Sequence, residues 1–326
     1  MATINTVLGP CTPDDLGVTL MHEHLMIGWP GWETDTAAPP VRRSEMLKLC
    51  VDRMHELKAL GLRSFLDPCP IDLARDAEFM AEVAQATGVN IICATGLYKE
   101  DQGATAYFKF RTQFGDALSE MTETFTKELT DGIGGSGIKA GLLKVATQAH
   151  KITPYEEMVL RAAARTAKAT GAPITTHTDE GTMGREQLDI FAAEGVDLQR
   201  VIIGHSCGSA DLRYHVDMLD RGCYLGFDRF GLEILQPDRL RTAALIGLLG
   251  IGFHNQIVLS HDSVWCWRGR PLALPEALLP HWNPTHVFKN IVPALRNAGV
   301  PQAKIDAMLI DNPRRFFSGE ARPARR

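Results

Sequence analysis

Two histidines separated by one residue follow a short apolar stretch, residues 18–21, near the start of the chain. In an extended strand alternate side chains share a face, so His22 and His24 would point the same way while Glu23 points to the opposite side. Two neutral imidazoles on one side can bind the same divalent ion. Alternatively, one histidine is buried and hydrogen-bonded and the other lies at a rim. The pair alone leaves both interpretations open.

Four further ionisable residues lie in or at the ends of short apolar stretches: Lys144, His177, His205 and Asp262. Each histidine taken alone is explained as a satisfied core or rim residue, but four histidines at strand ends favour one shared metal site. An aspartate at such an end can ligate a metal and accept a proton from metal-bound water, or it can simply cap the following loop.

Lys144 lies inside a predicted strand, residues 141–147, in which Leu142, Lys144 and Ala146 share one face. A free ammonium buried there would be costly. The side chain could extend to the rim, where its charge meets water. It could instead be carbamylated by CO₂, which turns the cation into an anion with two oxygens that can bridge two metals. The residues themselves favour neither alternative.

The positions of these residues follow from eight short, largely apolar strands, which indicate a parallel sheet covered on both faces. They are predicted at residues 18–22, 62–67, 90–96, 141–147, 172–178, 200–205, 223–227 and 256–262. Helices are predicted between and after them, at residues 44–60, 76–87, 107–130, 154–170, 184–194, 212–220, 237–249 and 284–298. The alternation predicts a (β/α)₈ barrel that forms one domain over residues 1–326, with the strand ends meeting in one pocket.

An open doubly wound sheet is the alternative, but it needs a Gly-rich phosphate-binding turn directly after an early strand. The glycine-rich stretch GIGGSG at 132–137 precedes a predicted strand instead of following one, and no GxxxxGK[ST] motif occurs. The segment 263–283 has no regular periodicity and is predicted to be a large loop over the carboxyl ends of the strands.

The composition excludes several classes of protein. A net charge of −5, without a basic stripe, argues against nucleic acid as a partner. No signal peptide is evident and no apolar run approaches the roughly 20 residues of a spanning helix, so no membrane association is expected. Seven scattered cysteines without a CxxC motif favour free thiols and a cytoplasmic protein.

Taken in order, these residues and their surroundings resemble the amidohydrolase superfamily, and more closely its phosphotriesterase family. The resemblance covers nearly the whole chain and is carried by TVLGPCTPDDLGVTLMHEHL, LLKVATQAHKITPYEEMVLRAAA, PITTHTDEGTMGREQLDIF, RVIIGHSCGSADL, LSHDS and DNPRRFF.

The resemblance implies a centre of two divalent metal ions. It assigns His22, His24 and Asp262 to the more buried ion, His177 and His205 to the more exposed ion, and carbamylated Lys144 with a hydroxide as bridges. The hydroxide would attack the substrate and Asp262 would take the proton. Zinc is the first choice of metal, and Co, Mn or Fe also suit nitrogen and oxygen ligands.

Two residues distinguish subgroups of this family. Tyr98 in TGLYKE and Arg229 in GFDRFGLE resemble the phosphotriesterase-like lactonases, in which the tyrosine orients the substrate and the arginine belongs to the pocket rim. Phosphotriesterases proper have a proton-relaying histidine in place of the arginine and a longer loop after strand seven. The stretch KVATQAHKITPYEEMVLRAAA nevertheless looks more like a phosphotriesterase. Without the metal ligands, an ordinary packed aromatic and a surface salt bridge would explain the two residues.

The loop after strand eight is rich in tryptophan and predicts an apolar wall that includes Trp265, Trp267, Arg268, Trp282 and the Leu/Pro run at 272–280. Trp29 and Trp32, after strand one, could extend it. We therefore expect a hydrophobic lactone or ester as substrate. Alternatively, the aromatic residues form a subunit interface, and the resemblance implies a homodimer.

The resulting prediction is a binuclear metal-dependent hydrolase that opens lactones, including acyl-homoserine lactones, with promiscuous organophosphate triester hydrolysis. The alternatives are a phosphotriesterase or arylesterase proper, and a metal-containing barrel that binds without catalysis.

Overall fold

Eight parallel strands form a nearly closed barrel, which confirms the predicted (β/α)₈ fold. The computed structural model describes residues 3–40, 42–103, 105–270, 272 and 279–323. The barrel strands follow chain order, and each pairs with its neighbour: β3 (Thr19–Leu20), β5 (Ser64–Asp67), β6 (Asn90–Thr95), β7 (Leu142–Thr147), β8 (Ile174–Thr178), β9 (Val201–Ile203), β10 (Tyr224–Phe227) and β11 (Ile257–Leu259). The amide of Met21 donates to the carbonyl of Leu259 at 3.4 Å and so joins the first strand to the last.

Helices connect the strands and cover the outside of the barrel. They are α1 (Arg43–Ala59), α2 (Ala77–Thr87), α3 (Thr105–Arg111), α4 (Ala117–Thr130), α5 (Pro154–Thr170), α6 (Gly184–Ala193), α7 (Leu212–Asp220), α8 (Asp238–Gly250), α9 (Val292–Asn297), α10 (Gln302–Asp306) and α11 (Asn312–Ser318). Helix α5 shows how the sequence sets these boundaries. Thr153 and Glu156 form a capping box with Pro154 at the first turn, and Gly171 ends the helix at φ +74°.

Two predicted helices differ in the structure. The helix predicted at 107–130 is divided into α3 and α4, because Asp116 caps a new helix by accepting a hydrogen bond from the Ser119 amide. The helix predicted at 284–298 begins with a π-helical turn, Val287–Ile291, before α9. Residues 302–318, for which no helix is predicted, form α10, a second π-helical turn and α11.

The first strand and the loop after the eighth strand also differ from the prediction. The chain leaves the barrel after β3 and forms β4 (His24–Ile27), which pairs in parallel with β12 (Val264–Trp267). The predicted loop 263–283 therefore begins with a strand, because the extended backbone of β4 offers it a hydrogen-bonding edge. Residue 271 and residues 273–278, which include most of the Leu/Pro run, lie outside the described residues.

The barrel interior is filled by one apolar cluster whose members include Met21, Leu66, Ile92, Ala94, Leu142, Ile202, Tyr224 and Val258. Phe316 and Phe317 of α11 belong to the same cluster, as does Ile4 of the amino-terminal hairpin β1 (Ile4–Thr6) and β2 (Gly9–Cys11). Leu142 points into the barrel, and Lys144 points the same way because it lies two residues later in the same strand. Lys144 is therefore inside the barrel and closer to the carboxyl ends of the strands. In the part of the chain that the structure describes, no helix has the length and apolar character needed to cross a membrane.

A buried carboxylate fastens the first strand to the last. Glu23 is fully buried, and its Oε1 accepts hydrogen bonds of 2.8 Å from Ser260 Oγ and from the His261 amide. The same oxygen lies 2.5 Å from His261 Nδ1, and Oε2 accepts from the hydroxyl and the amide of Ser263. The other ring nitrogen of His261 accepts from the Val287 amide at 2.8 Å, so Nδ1 carries the proton that binds Glu23.

Replacing Glu23 by glutamine should destabilise the barrel, because an amide cannot accept all of these hydrogen bonds and leaves buried donors unpaired. We expect a loss of about 2–5 kcal/mol in the free energy of unfolding. Thermal and denaturant unfolding of the metal-free protein would measure it, with Glu33→Gln as the control because Glu33 is exposed. Equal unfolding midpoints for the two variants would contradict the role of Glu23.

Candidate metal centre

The six predicted ligands converge at the carboxyl end of the barrel. His22, His24, Lys144, His177 and His205 are all buried, and the side chain of Asp262 is 13% exposed. Lys144 Nζ lies 3.1 Å from His22 Nε2. One oxygen of Asp262 lies 3.5 Å from His22 Nε2 and 3.3 Å from His24 Nε2, and the other lies 3.7 Å from His205 Nε2. The barrel therefore brings together residues that are up to 240 positions apart in the sequence.

A single carboxylate orients two of the histidines. Asp228 follows directly after β10, and one of its oxygens lies 3.1 Å from His22 Nδ1. The other oxygen lies 2.9 Å from His205 Nδ1 and accepts a hydrogen bond from the His205 amide. Because both Nδ1 atoms are engaged, both Nε2 atoms are left to face Asp262.

The other two histidines have carboxylate partners of their own. Asp67, the last residue of β5, lies 3.0 Å from His24 Nδ1 and is itself held by the amides of Leu25 and Cys69. Asp179 lies 2.6 Å from His177 Nε2. His177 thus differs from the other three histidines, since its free nitrogen is Nδ1.

This arrangement fits divalent metal ions. Each histidine has one nitrogen tied to a carboxylate of Asp228, Asp67 or Asp179, while its other nitrogen contacts only other residues of the centre or Tyr98. This is the pattern that orients metal-ligating imidazoles and fixes their tautomer. Asp67 and Asp228 were not predicted from the sequence, although each ends or follows an apolar predicted strand, as the predicted ligands do. The same signal would have found both.

Burial keeps most of the imidazoles neutral, as metal ligation requires. Desolvation lowers the pKa of His177 to about 3 and holds the pKa of His205 well below its usual value. His24 differs, because the carboxylates of Asp262 and Asp67 outweigh its burial and raise its pKa to about 9. A metal ion at His24 would therefore have to displace a proton.

Lys144 combines burial with a partly neutral amine. Desolvation lowers its pKa to about 8, against the attraction of Asp262 and Asp228. Near neutral pH a fraction of the chains thus has an uncharged amine with a free lone pair. Such an amine is nucleophilic enough to react with CO₂.

Two residues of the centre have a left-handed backbone that is uncommon outside glycine. His205 has φ +57° and Asp262 has φ +53°. Such conformations cost about 1–3 kcal/mol each and persist where surrounding bonds impose them. Here the His205 amide donates to Asp228, and the Asp262 amide donates to the His22 carbonyl at 2.9 Å.

Tyr98 and Arg229 both reach the centre. The Tyr98 hydroxyl lies 3.4 Å from each ring nitrogen of His177, and burial raises the pKa of the phenol well above its usual value. Arg229 Nε donates to Asp262 at 2.8 Å. Desolvation would raise the pKa of Asp262, but the nearby His205 and Arg229 hold it well below its usual value.

A cavity of about 160 Å³ opens above the six residues and has an aromatic wall. Trp29, Trp267 and Trp282 line it together with Tyr98 and Leu232. The Trp29 ring stacks on Tyr98 with centroids 6.0 Å apart and meets Trp267 edge-on at 6.4 Å. The aromatic residues of the wall therefore come from segments after three different barrel strands, and Leu232 follows a fourth.

Three of the predicted wall residues, Trp265, Trp32 and Arg268, do not line this cavity. Trp265 is 4% exposed, packs edge-on against Phe65 at 5.1 Å and donates through Nε1 to Ser263 Oγ. Trp32 lies farther along the first loop, where the Arg268 guanidinium stacks on it at 5.2 Å. The indole of Trp265 therefore lies in the core and not at this cavity, where the sequence predicts it.

Comparison with known proteins gives a consistent result. Residues 2–317 match the model of the phosphotriesterase family. An aryldialkylphosphatase from Saccharolobus solfataricus is 32% identical, with 93% of this chain and 96% of the relative covered. The structure of an organophosphorus hydrolase from Deinococcus radiodurans has a TM-score of 0.95, 42% identity and 97% coverage of both chains. A structure described as organophosphate hydrolysis engineered from a weak promiscuous lactonase template has a TM-score of 0.94, 41% identity and coverage of 97% and 99%.

Replacing Asp228 by asparagine should weaken Zn²⁺ binding more than replacing Asp67 by asparagine, because Asp228 orients two histidines and Asp67 orients one. We expect each variant to bind Zn²⁺ about 10–100-fold more weakly than the wild type, with the larger loss for Asp228→Asn. Calorimetric titration of the metal-free variants with Zn²⁺ measures affinity and stoichiometry together. Equal losses in the two variants would contradict the shared role of Asp228.

Proposed function

The chain belongs to the phosphotriesterase family, and we propose that it uses two divalent metal ions to open lactones, with organophosphate triester hydrolysis as a promiscuous second activity. Membership makes the protein a metal-dependent ester hydrolase. The observation that carries the finer proposal is the convergence of six ligand residues beneath a small aromatic cavity that Tyr98 and Arg229 also line.

We assign His22, His24 and Asp262 to one ion and His177 and His205 to the other, with Lys144 between them. Lys144 would take part as a carbamate. Its neutral amine attacks CO₂, a C–N bond forms, and a proton leaves, so that a buried cation becomes an anion. Zinc is the metal we expect first, and Co, Mn or Fe also suit this ligand set.

When bound, the two ions would lower the pKa of a water molecule between them and polarise the C=O or P=O of the substrate. Asp262 is placed to take the proton, since its carboxylate stays ionised beside Arg229 and reaches the inner nitrogens of His22 and His24. The Tyr98 hydroxyl keeps its proton and can donate a hydrogen bond to a substrate oxygen. Arg229 lies at the rim and keeps Asp262 oriented.

The cavity supports a small cyclic ester as the reacting group. A volume of about 160 Å³ is below the roughly 300–1,000 Å³ of sites that enclose whole drug-sized ligands. A lactone ring fits this volume, and any acyl chain would extend outward along the tryptophans. The neighbour derived from a lactonase template supports the same assignment, as does an arginine at position 229 in place of a relay histidine.

We also propose that the enzyme is a cytoplasmic homodimer. All seven cysteines are free thiols, which suits a reducing compartment. Tyr107, Phe110 and Phe114 are more than half exposed. Exposed aromatic side chains of this kind are enriched where subunits meet.

The substrate preference is tested by comparing kcat/KM for γ- and δ-lactones, acyl-homoserine lactones and paraoxon, using protein loaded with two equivalents of Zn²⁺ or Co²⁺. We expect the lactones to be the better substrates, because a small ring fits the cavity more completely than a triaryl or dialkyl-aryl phosphate. A preference for paraoxon would favour the aryldialkylphosphatase activity that the Saccharolobus relative is named for. Failure to open any lactone would overturn the proposal.

Substituting Lys144 by alanine should abolish metal loading and hydrolysis together, because the bridging anion is lost. We expect kcat/KM to fall by at least about 100-fold, with partial rescue by acetate or propionate, whose carboxylate can occupy the vacated space. Metal content per chain and activity are measured on the same samples, with Lys139→Ala as the control because Lys139 is exposed. Full activity in the Lys144 variant would exclude the bridging role.

A further inference from the structure

Asp179 is a partly buried partner of His177, with its side chain 24% exposed, and it lies just beyond the end of β8. One of its oxygens is 2.6 Å from His177 Nε2, and the other accepts from Lys99 Nζ at 2.5 Å. Its own backbone is held in place, because the amide and the hydroxyl of Thr182 both donate to the Asp179 carbonyl at 2.9 Å. The carboxylate is thus fixed from three sides.

Lys99 is an unusual ion-pair partner because its side chain is only 6% exposed. It follows Tyr98 in the loop after β6, and its Nζ lies 5.9 Å from the Tyr98 ring. The pair with Asp179 therefore ties the loop after β6 to the loop after β8. The loop after β6 and the end of β8 each contribute a side chain to the centre. These two side chains meet there, since the Tyr98 hydroxyl lies 3.4 Å from the His177 ring nitrogens.

The contact between Asp179 and His177 determines which nitrogen can bind a metal. A carboxylate beside Nε2 keeps the proton on Nε2, so the lone pair is on Nδ1. His22, His24 and His205 are oriented the opposite way, through Nδ1. Without Asp179 the His177 ring could take the other tautomer, or rotate, and present a protonated nitrogen to the centre.

We propose that Asp179, held by Lys99, is a positioning residue that fixes the ring and tautomer of His177 for the more exposed metal ion. The inference rests on the proposed binuclear function and adds a residue pair to it. The simpler explanation is that Asp179 and Lys99 only fasten two loops. In that case their loss would lower stability and leave metal binding unchanged.

The test is a titration of metal-free protein with Co²⁺, followed by the visible absorption of the bound ion, alongside thermal unfolding of the metal-free form. The variants are Asp179→Ala, Asp179→Asn and Lys99→Gln. Asp101→Asn is the matched control, because Asp101 also contacts Lys99, at 3.6 Å, but is 45% exposed.

We expect Asp179→Ala to weaken one of the two Co²⁺ binding steps by about 10–100-fold and to leave the other step unchanged. Asp179→Asn should weaken the same step less, since its amide oxygen can still accept from Nε2, and Asp101→Asn should bind as the wild type does. Two unchanged steps with a lower unfolding temperature would overturn the inference, as would an equal loss in both steps.

If Asp179→Ala does not fold, Lys99→Gln decides the question. Its amide can still donate to Asp179 but lacks the charge, so we expect a smaller loss in the same step, and an unchanged step would overturn the inference. The underlying function is tested separately by the wild-type protein. A wild type that does not bind two ions would overturn the binuclear function itself, whereas a normal wild type with unaffected variants would overturn only the role of Asp179.

Discussion

The geometry of the metal centre depends on the buried carboxylate of Glu23. This residue lies between His22 and His24, so strand alternation directs its side chain away from theirs. Ser260, His261 and Ser263 all donate hydrogen bonds to this carboxylate. Glu23 is therefore held by the residues that directly follow the last barrel strand. The hydrogen bonds to Glu23 thereby hold residues 22–24 in one orientation. In this orientation the imidazoles of His22 and His24 point into the candidate metal centre. The same contacts set the backbone on both sides of Asp262.

Three further carboxylates determine how the imidazole rings of the four histidines are oriented. Asp228, Asp67 and Asp179 each engage one nitrogen of a histidine and so leave the other nitrogen available. Together with Asp262 they concentrate negative charge in a region from which water is largely excluded, and such a charge distribution favours divalent cations. Lys144 is the exception in its native form, because an ammonium would repel the ions. The proposed carbamylation would remove this conflict, since it would replace the ammonium of Lys144 by an anion.

The aromatic cavity has a different origin, because its walls come from loops and not from barrel strands. The pairing of β4 with β12 carries the chain from Val264 to Trp267 across the top of the barrel. It turns Trp265 into the core and leaves Trp267 at the cavity beside Trp29. The six candidate metal ligands thus lie at the strand ends, whereas the shape of the cavity above them depends on a small two-stranded sheet outside the barrel.

The sequence alone determined the barrel, the approximate positions of its eight strands and the six ionisable residues that converge at one end of it. Each of these follows from local information: apolar stretches of strand length, helical periods between them, and an ionisable residue at a strand end. Tyr98 and Arg229 were identified through the resemblance to a family, and Trp29 and Trp267 through the tryptophan-rich loops. All four side chains line the cavity. The family resemblance rests on the order of several motifs along the chain. The HxH pair by itself does not identify a family.

Only the tertiary structure decided which polar groups orient the ligands and which tryptophans face the cavity. Asp228 serves two histidines, His22 and His205, that are 206 and 23 residues away, and no local pattern encodes such a shared contact. Trp265 and Trp267 lie two residues apart in one strand, yet Trp265 packs on Phe65 in the core and Trp267 lines the cavity. What each indole meets depends on where β12 pairs with a segment about 240 residues away. Local periodicity fixes where strands and helices form, but the partner of a buried polar side chain is chosen by long-range packing, because only the assembled barrel excludes water and forces that group to find a hydrogen bond.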